Sequence, residues 1–125
     1  MRRQLMPLLG GRYRSAGTVA KFHLHYTPRM GLALMMMMFD VELHVGSQIV
    51  VAQHIWTKVT SEMAELDPRR GSRISFSAVV EEYYKFTDSG LERIDYGICQ
   101  LEDVALAAGG EGVSFAEYIG NLKQS

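Results

Sequence analysis

Between Gly71 and Lys85 the chain reads GSRISFSAVVEEYYK, and no other stretch constrains the fold as much. From Ile74 the side chains alternate. Ile74, Phe76, Ala78 and Val80 fall to one side, and Ser75, Ser77, Val79 and Glu81 to the other, the two-residue period of a half-buried strand. Asp67-Pro68 and Gly71 supply a turn before it. Tyr83, Tyr84 and Lys85 end it with two rings beside a cation.

The flanking sequence supplies more strands. Tyr13 to Tyr26 reads as a long first strand, with Gly17 inside it as the mark of a bulge or sharp bend. Thr27 to Gly31 is a turn around Pro28. Leu32 to Val45 is a second strand, in which Met35, Met37, Phe39, Val41 and Leu43 make one continuous apolar face and Met36 and Met38 fall on the outer one. Gly46-Ser47 closes a hairpin into the third strand, Gln48 to Val59. Ser61 to Leu66 is a short helical turn with Ser61 as its N-cap. The fourth strand spans Arg73 to Phe86, a turn with Asp88 and Gly90 follows at Thr87 to Leu91, and the fifth strand spans Arg93 to Val104. Ser114 to Leu122 is a terminal amphipathic helix with a capping box of Ser114 and Glu117, docked through Phe115, Tyr118, Ile119 and Leu122.

Five strands with a turn-helix between the third and fourth, and a helix at the end, give an all-β fold: a five-stranded Greek-key OB barrel. The expected organisation is an N-terminal arm over residues 1–11, the barrel over 12–104, and a Gly/Ala linker with the terminal helix over 105–125. The Gly17-Thr18-Val19 of the first strand, His54 and Trp56 of the third, Gly71 to Lys85, and Asp95-Tyr96-Gly97 of the fifth together resemble small OB-fold nucleic-acid-binding-like domains of bacteria and phages. The resemblance covers roughly Arg12 to Val104. It implies non-catalytic binding of single-stranded DNA or RNA with little sequence preference.

At 125 residues the chain is long enough for one closed core. A hydrophobic fraction of 47% and a charged fraction of 22% belong to an ordinary globule. The formal net charge of −1 provides no overall basic field for nucleic acid. The charges are unevenly placed, however. Arg2, Arg3, Arg12, Arg14, Lys21 and Arg29 precede any acid, whereas Glu92, Asp95, Glu102, Asp103, Glu111 and Glu117 dominate the last third. The two ends either polarise the surface or neutralise one another. Cys99 is the single cysteine, which excludes an internal disulfide and a cysteine zinc site. It reads as a small core residue and suits a cytoplasmic protein. The longest apolar run, Leu32 to Phe39, is too short to span a membrane, and a soluble protein is expected.

A single-strand groove needs rings for stacking and cations for phosphates. Period two places His54, Trp56 and Lys58 on one face of the third strand, and Arg73, Tyr83 and Lys85 on one face of the fourth. Arg12, Arg14 and Lys21 of the first strand extend the cation set, and Tyr26 is a further ring. Trp56 has a competing reading: Val50 and Ala52 share its parity and favour the core. Tyr84 shares the parity of Phe76 and is expected inside, which leaves Tyr83 as the surface ring. His23 and His25 share a face and can bind a metal only with a third ligand, from His44 or His54, which no spacing requires; no metal or other cofactor is expected. There is no nucleophile elbow, phosphate loop or HExxH, and adjacent Glu81 and Glu82 point to opposite faces, so catalysis is not expected. The alternative function is a protein-interaction module that docks or self-associates through the Met35–Met38 strand.

Overall fold

The alternating stretch forms a strand that lies against the long first strand, and the barrel grows outward from that pair. The computed structural model describes residues 3–27, 31–86 and 92–124, the side chains of 27, 84–86, 92–93 and 123–124 excepted. Residues 28–30 of the turn read at Thr27 to Gly31, the turn read at 87–91, and the side chains of Tyr84 and Lys85 lie outside the described residues. The elements are a 3-10 helix (Arg3–Leu8), β1 (Arg12–Thr27), β2 (Gly31–Val45), β3 (Gln48–Lys58), α1 (Ser61–Leu66), β4 (Arg73–Phe86), β5 (Glu92–Ala108) and α2 (Phe115–Gln124).

The strands pair antiparallel in the order β3-β2-β1-β4-β5. The two outer strands, β3 and β5, also come together, so the sheet curls into a barrel with the circular order of the OB fold. β1 makes this possible because its first half pairs on both edges: Ser15 lies opposite Leu43 of β2 and Phe76 of β4. Ile74, Phe76, Ala78 and Val80 all point into the core, as their alternation requires.

The phase of β2 is the main departure from expectation. Met36 and Met38 are fully buried, whereas Met35, Met37 and Phe39 are half-buried on the opposite face; Val41 and Leu43 are again in the core. The apolar face is therefore not continuous. The face changes at Asp40, which has a φ of 49° and sits where the β1–β2 register slips between Ala16 and Thr18. An extra residue in the left-handed region is a bulge, and Asp tolerates that region better than most residues. A second slip, between Val19 and Lys21, moves the buried residues of β1 from Val19 to Phe22. Gly17, where a bulge or sharp bend was expected, is the β1 residue at the first slip. A Cβ on it would sit 3.0 Å from the Met38 sulfur and 3.2 Å from Val41 Cγ2, so its bare backbone lets the β2 core side chains close in.

The ends of the barrel are sealed by short elements. Leu5 and Leu8 of the 3-10 helix are buried, and Gly10 and Gly11 exchange backbone bonds with Val80, so the expected arm is packed onto the barrel. Met63 of α1 enters the same core. The N-cap of α1 is Thr60 rather than Ser61, because the chain stays extended through Thr60 (ψ 166°), whose hydroxyl accepts from the Met63 amide. β5 runs on to Ala108, opposite Arg73, beyond the Val104 expected; Ala105, Ala107 and Ala108 carry no alternation to reveal a strand. α2 docks through Phe115 and Tyr118, whose rings lie 5.4 and 5.7 Å from that of Phe22. Ser114 caps it by accepting from the Glu117 amide. Among the described residues, no helix is long and apolar enough to cross a membrane.

Candidate nucleic-acid interface

The register of β1, β2 and β3 decides which side chains meet on the outside of the barrel. Lys21 lies opposite Met37, and Met37 opposite Trp56; His23 lies opposite Met35, and Met35 opposite Lys58. One row further toward the β1–β2 hairpin, His25 faces Ala33; in the other direction, Phe39 faces His54. Three strands thus present a single outward platform with an apolar floor of Met35, Met37 and Phe39 and imidazole and ammonium groups around it.

Trp56 stands on that platform with 38% of its surface exposed. The core reading of Trp56 is therefore corrected. Ala52 is buried, but the inward positions of β3 then shift to Ile55 and Thr57 beside the Asp40 bulge, which turns Trp56 outward. The Lys21 ammonium lies 5.5 Å from the indole centroid, a cation–π distance, and the His23 ring meets the indole edge to face at 6.0 Å. A groove of about 390 Å³ starts at Trp56 and Lys58 and crosses the β3–β5 seam to Glu81, Cys99 and Gln100. Burial first, and then the neighbouring Glu81 carboxylate, push the Cys99 thiol up to about 11, so the thiol is protonated at neutral pH.

The other expected contacts are distributed elsewhere. Arg12 reaches toward β4 and β5: its guanidinium donates to Ser77 Oγ at 3.1 Å and to the Gln100 carbonyl at 3.0 Å, and it lies 3.6 Å from Glu102. Arg73 donates to Thr18 Oγ1 and to the Asp40 carbonyl, both at 3.0 Å, and pairs with Glu42 at 3.5 Å. Both guanidiniums hold strands together. The Arg12–Glu102 pair also joins the basic first third to the acidic last third, so the two are partly neutralised.

Tyr83 is half-buried, with its hydroxyl 3.3 Å from Asp95 Oδ2. A Cβ on Gly97 would lie 3.2 Å from Tyr83 Cε1, so the ring covers this glycine. The Asp95-Tyr96-Gly97 motif thus explains the position of Tyr83: Asp95 meets its hydroxyl and Gly97 leaves room for its ring. Arg14 is exposed on β1, whereas Tyr26 is exposed at the far end of the β1–β2 hairpin, on the face opposite Lys21 and His23. The Lys85 backbone is in β4. Of the expected set, the structure gathers Trp56, Lys58 and Lys21 at one place. Sequence reasoning missed Met35, Met37, Phe39 and the two histidines as their neighbours, since only the register brings them to Trp56.

No family model matches the chain, and no curated protein sequence matches it. Among solved structures it is similar to a mitochondrial single-stranded DNA binding protein of S. cerevisiae, Rim1. That likeness has 14% identity and a TM-score of 0.49, over 81% of this chain and 98% of the yeast one. The selenomethionine-labelled form of the same protein gives a TM-score of 0.48 at the same identity and coverage.

Proposed function

We propose that this barrel binds single-stranded DNA or RNA without catalysis and with little sequence preference, on the outer platform of β1, β2 and β3. The observation that carries the reading is the row Lys21–Met37–Trp56, which sets an exposed indole beside an ammonium on an apolar floor. A base stacks on Trp56 while Lys21, Lys58 and Arg14 follow the phosphates. The face of strands two and three is also where OB barrels commonly take oligonucleotides. Arg12 and Arg73, already engaged by carboxylates and carbonyls, contribute to the scaffold and not to the phosphate track.

The test is fluorescence anisotropy of a labelled dT strand longer than the roughly 4–16 nucleotides that one such barrel covers. Stacking worth about 1–3 kcal/mol per base makes Trp56→Ala about 5- to 150-fold weaker. Each phosphate contact adds about −0.7 to the slope of log K against log salt, so three cations give about −2, and Lys58→Ala flattens the slope by about 0.7. Arg12→Gln leaves that slope unchanged. Absence of binding at low salt, or an unaltered Trp56→Ala, refutes the reading. In that event the half-buried Met35, Met37 and Phe39 favour a second reading, a docking surface for a protein partner.

A further inference from the structure

Beside Trp56 lies a shallow concavity of about 310 Å³ bordered, among the described residues, by His23, His25, Met35 and Trp56. We propose that it binds a soft monovalent cation, Cu(I) or its analogue Ag(I), with His23 and His25 as nitrogen donors, Met35 as the thioether donor and the Trp56 ring closing one side. This goes beyond the nucleic-acid reading and does not rest on it.

The donor set argues for softness. Among the described residues, no three His, Cys, Asp or Glu side chains come together, and none of the four lining residues carries a carboxylate. Calcium and magnesium require oxygen ligands, whereas thioether sulfur selects Cu(I), and imidazole suits copper as well.

The spacing fits one ion. His23 and His25 are two residues apart on β1, so both project from the same face. Their ring centroids are 6.1 Å apart. With an imidazole–metal bond of about 2.0–2.1 Å and a ring nitrogen roughly 1.1 Å from its centroid, two imidazoles on one ion can stand at most roughly 6.4 Å apart. Met35 is the cross-strand partner of His23, which places its flexible side chain beside the pair. The indole has already attracted one cation, the Lys21 ammonium. An ion arriving at the same ring displaces Lys21 or shares the ring with it, so Lys21 opposes binding electrostatically.

Ag(I) is the probe, because it needs no reductant. The experiment uses Cys99→Ser protein in nitrate buffer, so that neither the thiol nor chloride takes the silver, and serine keeps a hydroxyl for Glu81. Trp56 is the sole tryptophan, so its emission reports the surroundings of this one ring while calorimetry counts ions. The expected result is one equivalent of Ag(I), with quenched emission. Loss of even an outer partner of a metal site costs 10- to 100-fold, so Met35→Leu and His23→Asn each weaken binding at least about tenfold. Lys21→Gln, which removes the charge without adding a sulfur donor, strengthens binding, and His44→Asn leaves it unchanged. Met35→Leu preserves side-chain volume and a folded circular-dichroism spectrum. The proposal is overturned by unchanged Trp56 emission under Ag(I), by equal affinity in Met35→Leu, or by Zn(II) binding as tightly as Ag(I).

Discussion

Four consecutive methionines in β2 allow one substitution to be made at neighbouring sites whose surroundings differ. Met36 and Met38 are wholly inside the barrel, while Met35 and Met37 lie half-buried on the outer platform. Truncating a fully buried Met to Ala removes its transfer energy and leaves a cavity, at a cost of about 2–5 kcal/mol. Unfolding entropy near 2.1 cal/mol/K per residue gives about 260 cal/mol/K for this chain, so a loss of about 3 kcal/mol lowers Tm by about 11 °C. At the outer positions the buried apolar area is smaller and there is no cavity to leave, so the cost is about 1 kcal/mol or less and the drop under about 4 °C. Melting each of the four single-alanine proteins by circular dichroism, with urea midpoints as a second measure, gives an alternating series: small, large, small, large. A flat series, or one in which Met35→Ala and Met37→Ala are the costly pair, refutes the bulge at Asp40 and with it the outward placement of Trp56.

Two further outcomes follow from geometry elsewhere. A Cβ on Gly110 would lie 2.4 Å from the Ser72 amide and 2.5 Å from the Arg70 carbonyl, backbone atoms that cannot swing aside, so Gly110→Ala costs at least about 2 kcal/mol. Gly109, with open space around its Cβ, is the control, and Gly109→Ala stays within about 0.5 kcal/mol; equal urea midpoints for the two variants would sink the argument. The Cys99 thiol, raised from 9.0 to about 11, holds about a hundredfold less thiolate at pH 8 than an ordinary one. Alkylation by iodoacetamide is slowed accordingly in the native protein and accelerates on unfolding in urea. The sign for stability follows from linkage: the folded state prefers the neutral thiol, so its contribution is intact below about pH 9 and is lost as pH rises toward 11. Equal alkylation rates in the two states would contradict this.

What the sequence made legible was periodic or local. Ile74 to Val80 alternate, and they line the core; Ser114 stands three residues before Glu117, and it caps α2. The phase of β2 was not legible, because a run of identical methionines has no parity of its own and the slip at Asp40 depends on pairing with β1. The two readings of Trp56, groove or core, stayed open for the same reason, since the parity counted from Ala52 changes beside that bulge and turns the ring outward. The roles of Arg12 and Arg73 were hidden by distance in sequence: Ser77 and Gln100 lie 65 and 88 residues from Arg12, and Asp40 lies 33 from Arg73. Local pattern marks these residues as cations and does not tell which partners hold them. The Glu117 carboxylate shows the same limit, pairing with Arg69 at 3.1 Å.

β1 is longer than its pairing with β4, which ends at Thr18. Beyond that point its outer backbone is met piecemeal: the Ser72 carbonyl accepts from the Val19 amide, Arg70 Nε donates to the Ala20 carbonyl, and the Tyr118 hydroxyl of α2 accepts from the Leu24 amide at 2.9 Å. A strand margin of this kind is a template on which another chain can lay a sixth strand. The terminal helix, seated on Phe22 with its tyrosine bonded to that margin, therefore acts as a guard against polymerisation. A chain cut short before Phe115 would still hold its barrel pairings, but it would expose a sticky rim, and its solubility would fall before its fold was lost.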